Sequence, residues 1–353
     1  MPATDGPERP GDPGPAPAAR ERDPSAPDAG ASSVPHAGDP SVPRAGGSSA
    51  PDVGGSSAPR RIGSSVPRGR GWVVGVPGQA HPALAAAASA ALEAHSAATA
   101  EHDRATLAEV VAEGADGTPT MRIDVLVENA ILAALARHPV NVLTEEAGWV
   151  DNGSALTLVM DPVDGSANAA AGVPLSAFSA AVAVDGVFTE ALTVWLETGR
   201  SWWAKAGTPS PLRTTGRTSL PGAAVSLLRP HPANPGAASA WWEVARRAGR
   251  VRILSTSCLE GALVAQGATD AFADAATDTH RLVDLAASVV LAEAGGGAVR
   301  DVFGRPIGLD TDLTRRWSGV VAASPELADE LASVLHDAYE TGRTTPAGPS
   351  TPA

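Results

Sequence analysis

The sequence is poor in cysteine, lysine and aromatic residues. Cys258 is the only cysteine among 353 residues, which excludes an intramolecular disulfide and excludes ligation of a zinc finger or an iron–sulfur cluster by this chain. Lys205 is the only lysine, and 26 basic against 39 acidic residues give a net charge of −13. Such a balance offers no broad positive surface to nucleic acid or to an anionic membrane.

Long apolar runs are also missing. No stretch approaches the roughly 20 apolar residues of a membrane-spanning helix, and the first residues lack the charged-then-apolar pattern of a signal peptide. We therefore expect a soluble, cytoplasmic protein with neither nucleic acid nor membrane as a partner. A chain of 353 residues is long enough to bury a sizeable core.

Residues 1–70 differ in composition from the rest. They hold 14 of the 31 prolines and 11 of the 37 glycines, no Phe, Trp or Tyr, and eight acidic residues against eight basic ones. With so little to bury, ordering this segment would cost more entropy than packing returns. We predict a disordered tail, or an over-long start of the reading frame; the alternative is a partner-binding arm using its arginines. Residues 71–340 are predicted to fold as one globular domain, and residues 341–353 as a flexible tail.

The folded part mixes helical and strand patterns. Apolar residues recur at helical spacing over 123–137, and further helices are predicted within 79–113, 236–249, 259–266 and 281–294 and from Pro325 onward. Strands are predicted at 156–160, 177–184, 191–196, 251–254, 270–272, 298–302 and 319–322. Because these elements follow no strict βαβ rhythm, the sequence predicts an α+β or layered α/β fold.

The run from Asp161 to Ser166 is the sharpest local motif. Asp161 and Asp164 follow an apolar strand, so their carboxylates can converge as oxygen ligands for Mg²⁺. Gly165 allows a ligand close to the backbone, and a helix beginning at Ser166 would present free N–H groups to a phosphate. The motif therefore indicates phosphoryl chemistry. The alternative is an ordinary Asp-Gly turn.

Other carboxylates are ambiguous when taken singly. Glu145 and Glu146 could be a solvated loop pair, and Asp124 with Glu128 an exposed helix face. Asp284 could serve only as a first-turn partner of the helix dipole.

The order of these carboxylates along the chain resembles the motif pattern of the inositol monophosphatase superfamily. The stretches at 114–124 and 140–154 are similar to the archaeal-type, dual-activity fructose-1,6-bisphosphatase/inositol monophosphatase branch. The resemblance covers residues 80–340 and implies a layered α-β-α-β-α sandwich, a homodimer and two or three Mg²⁺ ions. In two departures, Val283 replaces the usual Trp and Ser288 the usual Gly.

The resemblance also implies residue roles. Glu145, Asp161 and the carbonyl of Val163 would hold the first metal, and Asp161 would bridge to a second metal held by Asp164 and Asp284. Ser166, where the family usually has Thr, would orient the attacking water with Asp124. The residues implied to contact substrate are Asp164, Gly165, Ser166, Ser255, Thr256 and Arg281.

The resulting hypothesis is a Mg²⁺-dependent phosphatase that hydrolyses a sugar- or polyol-phosphate monoester by metal-activated water. Inositol 1-phosphate and fructose 1,6-bisphosphate are the expected substrate types, and the bisphosphate would need a second anion site, with Arg281, Arg229 and Arg213 as candidates. The alternative is a non-catalytic phosphosugar-binding or scaffold protein that kept the fold. A serine hydrolase finds no support, because no Gly-x-Ser-x-Gly elbow follows a strand.

Overall fold

Between residues 71 and 344, the part of the chain that this computed structural model describes, eight helices and fourteen strands form. The helices are α1 (Pro82–Glu101), α2 (Arg104–Leu107), α3 (Arg122–Leu135), α4 (Ser166–Ala171), α5 (Pro235–Arg247), α6 (Ser257–Ala265), α7 (Leu282–Gly295) and α8 (Pro325–Thr344). The strands are β1 (Val73–Val74), β2 (Val110–Glu113), β3 (Pro119–Met121), β4 (Asn141–Thr144), β5 (Gly148–Val150), β6 (Leu156–Asp164), β7 (Ala177–Val184), β8 (Val187–Trp195), β9 (Arg200–Lys205), β10 (Ala224–Leu227), β11 (Arg250–Arg252), β12 (Ala271–Ala273), β13 (Ala298–Asp301) and β14 (Gly319–Ala322). The predictions for residues 1–70 and 345–353 lie outside the described residues.

Two sheets and three helical layers alternate through the fold. One sheet has seven strands in the order β1-β9-β8-β7-β6-β4-β5, and the other has five in the order β11-β10-β12-β14-β13. Helices α1 and α3 pack on the outer face of the first sheet, α6 and α7 lie between the sheets, and α5 and α8 cover the second sheet. The predicted α-β-α-β-α sandwich is confirmed.

Residue type explains which helices occupy the central layer. In α7, apolar or small residues surround the helix, and eleven of its residues are buried. A helix that is apolar on every side must be covered on every side, as α7 is between the two sheets. Helix α8 instead buries mainly one side, through Leu327, Leu331 and Leu335, which suits an outer layer.

The longer predicted elements agree with the structure, and several short strands were missed. Strands β7 and β14 have the predicted bounds, and α3 begins one residue earlier than predicted. The helical prediction for 79–113 is wrong at its end, where β2 forms a two-stranded hairpin with β3. Every residue of β2 is exposed, so burial imposes no alternating pattern there. Helix α8 continues to Thr344, past the predicted limit at residue 340.

None of the helices between residues 71 and 344 combines the length and the apolar character of a membrane span.

The contact between α6 and α7 yields a prediction about Ser288. A Cβ added at Gly261 would overlap Oγ of Ser288 and lie 3.1 Å from its Cβ. We expect overpacking in Gly261→Ala to lower the free energy of unfolding by about 1–3 kcal/mol. The higher helix propensity of alanine offsets roughly 1 kcal/mol of this loss. Urea denaturation of the full chain measures this change.

Ser288→Ala is the matched control, because it removes only the overlapping hydroxyl. Alone it should change stability little, and in combination with Gly261→Ala it should restore most of the loss. A Gly261→Ala variant as stable as the unchanged protein would contradict this account of the packing.

Candidate active site

Strand pairing brings Glu145 next to Asp161. Strands β4 and β6 are parallel neighbours, and Thr144 at the end of β4 pairs with Met160. Because parallel strands keep their register, the following residues, Glu145 just past the end of β4 and Asp161 within β6, lie side by side. The carboxyl ends of parallel strands are where α/β sheets usually place ligand sites.

A β-bulge turns Asp161 and Asp164 toward the same place. Asp161 pairs with Ser179 and Asp164 with Ala177, so three steps along β6 match two along β7. Bulges of this kind redirect side chains. Both aspartates are buried, and the Val163 N–H donates to Oδ1 of Asp161 at 3.1 Å. The strand runs on to Asp164, where the sequence had indicated an end at residue 160.

Two further carboxylates come from helix N-termini. Asp124 and Asp284 are each the third residue of a helix, and they accept the backbone N–H of Met121 at 3.0 Å and of Arg281 at 2.6 Å. A carboxylate here satisfies a free N–H and complements the helix dipole. The first-turn alternative for Asp284 therefore describes one of its interactions. An exposed face for Asp124 and Glu128 is wrong, because both are buried.

The start of α6 fixes Asp164. The Thr256 hydroxyl at 2.5 Å, the Cys258 N–H at 2.9 Å and the Leu259 N–H at 3.3 Å all donate to Oδ2 of Asp164. The Thr256 hydroxyl is thus engaged with a carboxylate, and its expected contact with substrate stays a prediction. Ser255 is exposed, with φ of 59°.

Arg281 lies among the carboxylates. Its guanidinium donates to Asp284 Oδ1 at 3.1 Å, to Asp116 Oδ2 at 2.9 Å and to Glu145 Oε1, and its side chain is 17% exposed. Arg316 also reaches Asp116, at 3.4 Å. The structure therefore shows Arg281 neutralising carboxylates, whereas its expected contact with a substrate anion stays a prediction.

Sequence reasoning assigned no role to Asp116. It is buried, and its carboxylate accepts hydrogen bonds from the Arg281 guanidinium and, at 2.8 Å, from the Thr118 hydroxyl. The only signal was its place in the Gly114–Thr120 stretch, which contributed to the family resemblance.

Burial shifts the protonation of most of these groups. It raises the pKa of Glu145 to about 8 and the pKa values of Asp124 and Asp164 to about 6, and it holds the pKa of Asp161 well above its usual range. Burial also acts on Asp284, but the adjacent Arg281 outweighs it and lowers the pKa of Asp284. One guanidinium is too little positive charge for this cluster.

The donor set fits a divalent cation. Asp161 forms no ion pair within the described part of the chain and accepts one hydrogen bond, from Val163. Oxygen ligands that are buried and short of positive charge are what hard cations such as Mg²⁺ take. Asp161 and Asp164, together with Cys258, have ligand atoms within 4.8 Å of one another.

Gly165 and Ser166 open α4 beside these carboxylates. Gly165 has φ of 82°, and an added Cβ would lie 2.9 Å from the carbonyl oxygen of Leu175, so the turn requires glycine. The Ser166 hydroxyl donates to the Val163 carbonyl at 2.9 Å and is close enough to Asp124 to lower the pKa of that group, against the larger effect of burial. The predicted helix start at Ser166 is confirmed.

Comparison of sequences places the chain in a family. Residues 79–340 match the inositol monophosphatase family, and the chain belongs to this family. The fructose-1,6-bisphosphatase/inositol-1-monophosphatase of Methanothermobacter thermautotrophicus is 32% identical over 253 residues, covering 64% of this chain and 87% of that protein. The bifunctional NADP phosphatase/NAD kinase of Methanococcus maripaludis is 30% identical over 258 residues, covering 64% and 44%.

Solved structures agree with this assignment. An inositol monophosphatase–fructose 1,6-bisphosphatase has a TM-score of 0.62 and 27% identity, covering 71% of this chain and 96% of that one. The extragenic suppressor protein SuhB of Bartonella henselae has a TM-score of 0.61 at 23% identity, covering 72% and 96%, which shows the fold alone. The family resemblance, the fold class and the expectation of a phosphatase are confirmed.

The raised pKa values predict how stability depends on pH. A carboxyl group whose pKa is higher in the folded than in the unfolded protein binds its proton more tightly when folded, so stability falls as pH rises between the two values. With pKa values near 4 when unfolded and about 6 to about 8 when folded, the metal-free protein should lose thermal stability from about pH 4 to pH 8. Added Mg²⁺ should restore more stability at pH 8 than at pH 5.

Asp161→Asn should make this pH dependence shallower, because it removes one buried carboxylate. Asp185→Asn, on an exposed turn, is the matched control and should leave the slope unchanged. A metal-free protein whose melting temperature rises between pH 5 and pH 8 would contradict the prediction.

Proposed function

We propose that the protein is a Mg²⁺-dependent phosphatase that hydrolyses a sugar- or polyol-phosphate monoester. The observation that carries the proposal is the convergence of buried and partly buried carboxylates from two strand ends and one helix start, beside a serine hydroxyl paired with a buried aspartate. The ligand carboxylates are Glu145, Asp161, Asp164 and Asp284. The names of the similar archaeal proteins support a phosphate ester of a sugar or of inositol as the substrate.

The carboxylates and the carbonyl of Val163 would hold the metal. Magnesium ions bound there would neutralise the phosphate and lower the pKa of a bound water. The site has little other positive charge to neutralise an incoming phosphate, because Arg281 already forms ion pairs with Glu145, Asp284 and Asp116. Two or three ions are the number that the family resemblance implies.

Asp124 and Ser166 would orient the attacking water. The Ser166 hydroxyl sits between the Val163 carbonyl and Asp124, so it can accept from the water while its own proton stays bonded. Asp124, whose pKa burial raises to about 6, is mostly ionised at neutral pH and has a pKa close enough to it to accept a proton from the water. Glu145, adjacent to the metal position, would share this work.

The start of α4 would receive the phosphate. The backbone N–H groups of Gly165 and Ser166 have no hydrogen-bond acceptor within the described part of the chain, and free N–H groups stabilise an anion. The exposed Ser255 hydroxyl, with Thr256 and Asp164, would face the alcohol part of the substrate. We further propose a cytoplasmic enzyme that works as a homodimer, which sedimentation of the full chain would test.

Substitution of Ser166 tests the positioning of the water. Ser166→Ala should reduce kcat by about 10²–10⁴-fold, the range for loss of an acid–base partner, with little change in KM. Ser166→Thr keeps the hydroxyl and should stay within a few-fold of the unchanged enzyme. If the alanine variant kept full activity while folded, the hydroxyl would have no part in the reaction.

A phosphate-release panel tests the reaction itself. The full chain would be given inositol 1-phosphate, fructose 1,6-bisphosphate, histidinol phosphate, adenosine 3′,5′-bisphosphate and, because of the NADP phosphatase relative, NADP⁺, each with Mg²⁺ and with chelator. We expect metal-dependent release from at least one sugar or polyol ester, abolished by Asp161→Asn. A folded protein that neither binds Mg²⁺ nor releases phosphate would favour the scaffold alternative.

Arginine substitutions test the choice of a bisphosphate. Arg281→Ala should lower kcat/KM for fructose 1,6-bisphosphate about 10- to 100-fold more than for inositol 1-phosphate, as expected for a lost bond to a charged group. Arg229, exposed after β10, is a second candidate. Arg213 already donates to the backbone carbonyls of Ser210 and Leu212, which leaves it less free to bind an anion.

Equal losses on both substrates would mean that Arg281 acts through the carboxylates alone. If alanine at each of the three arginines left bisphosphate turnover unchanged, a second anion site at these residues would be wrong.

A further inference from the structure

The side-chain amide of Asn168 joins helix α4 to the segment that precedes α6. Its Nδ2 donates to the carbonyl of Leu175 at 2.9 Å, to that of Leu254 at 2.9 Å and to that of Ser255 at 3.3 Å. Leu254 and Ser255 lie 86 and 87 positions further along the chain. Asn168 therefore connects two parts of the molecule that are far apart in sequence, and no step of the proposed reaction uses it.

The connected segment, residues 254–256, is strained. Ser255 has φ of 59° and is exposed, and a residue with a side chain keeps this left-handed conformation only where its surroundings hold it. Asn168 binds the Ser255 carbonyl, and the fully buried Glu260 accepts the Thr256 N–H at 3.3 Å. The two side chains thus hold the two polar ends of one peptide group.

The start of α4 lies directly against this segment. A Cβ added at Gly165 would lie 2.9 Å from the Leu175 carbonyl oxygen and 3.3 Å from the Ser255 carbonyl oxygen, and Asn168 binds both of these carbonyls. The hydroxyl of Thr256 forms a second connection, to Asp164 at 2.5 Å. Two connections on either side of Gly165 keep the start of α4 and the 254–256 segment from pivoting relative to each other.

A purely local role accounts for only one of the three bonds. Asparagine commonly satisfies nearby backbone groups at the end of a short helix, and the bond to Leu175 is of that kind. The bonds to Leu254 and Ser255 are not required for this purpose, because water can satisfy the carbonyl of an exposed residue. Their effect is to fix the position of the 254–256 segment.

We propose that Asn168 is a positioning residue, which sets the distance between the start of α4 and the 254–256 segment and so determines how well the alcohol part of a phosphate ester is bound. The inference rests on the proposed function, in which the start of α4 receives the phosphate and Ser255 faces the alcohol. Asn168 touches no reacting atom and acts through two backbone carbonyls. Without its amide the strained segment relaxes and the alcohol contacts lose their alignment, whereas the phosphate keeps its own contacts.

The first test is hydrogen–deuterium exchange of the metal-free full chain, which needs no substrate. Asn168→Ala should speed exchange in peptides covering residues 253–257 about tenfold, because local opening becomes easier. Asn141→Ala is the matched control: Asn141 is also buried, and its Nδ2 donates at 2.8 Å to the carbonyl of Ser154. That variant should leave exchange at residues 253–257 unchanged.

The second test compares an ester with inorganic phosphate, which lacks the alcohol part. For the ester that the phosphate-release panel ranks first, Asn168→Ala should raise KM about 3- to 10-fold, as for the loss of one hydrogen bond to the substrate. The inhibition constant of inorganic phosphate should stay within about twofold. Neither constant depends on the fraction of folded enzyme, so a loss of stability alone cannot produce this difference, and Asn141→Ala should change neither.

Asn168→Leu keeps the branching and most of the volume of the side chain without its donors. It guards against a cavity in the alanine variant and should give the same shifts. Unchanged exchange at residues 253–257, or faster exchange with an unchanged KM, would overturn the inference and leave Asn168 with a local role at the end of α4. Failure of the proposed function would instead appear as absent phosphate release by the unchanged protein, so the two failures are distinguishable.

Discussion

Like-charge repulsion among clustered, largely buried carboxylates is the constraint on which the site depends. Glu145, Asp161, Asp164 and Asp284 are brought together with one guanidinium between them. Such a cluster is stable only if fixed donors compensate for the lost water. The donors are backbone N–H groups of the fold itself. They lie in the bulge of β6 for Asp161, at the start of α6 for Asp164 and at the start of α7 for Asp284. The elements that deliver the charges also hold them in place.

This dependence extends into the central helical layer. Helices α6 and α7 supply the donors to Asp164 and the position of Asp284, and they pack closely where Gly261 faces Ser288. A shift between the two helices would therefore alter the distance between two carboxylates. We infer that packing in this layer sets the geometry of the site as much as the residues in it do. Ser288, where the family usually has glycine, is accommodated because position 261 lacks a side chain.

The sequence predicted much of this fold and part of the site, for physical reasons. Long periodic elements such as α3, β7 and α7 were recognised because burial imposes a pattern on them, whereas the exposed hairpin β2–β3 carries none. The order of the carboxylates was readable because it follows the chain. The ion pairs of Arg281 with Asp116 and Glu145 join residues more than 100 positions apart, and no local pattern encodes such a contact. The surroundings of Cys258 were missed for the same reason, since Asp161 and Asp164 reach it only through folding.

Three kinds of positive charge compete for the same carboxylates: protons, Arg281 and a bound cation. Burial raises the pKa of Glu145 to about 8, so near neutral pH a proton still shares this group with the guanidinium. Metal binding must displace such protons, and linkage then requires metal affinity to rise with pH over the range in which the metal-free protein loses stability. Arg281 acts differently, because a guanidinium cannot give up its charge. When a cation binds, the arginine must either move away from the carboxylates or share them with the cation. The arginine therefore limits how much positive charge the site can take up, and a bound cation has to compete with it for Glu145 and Asp284.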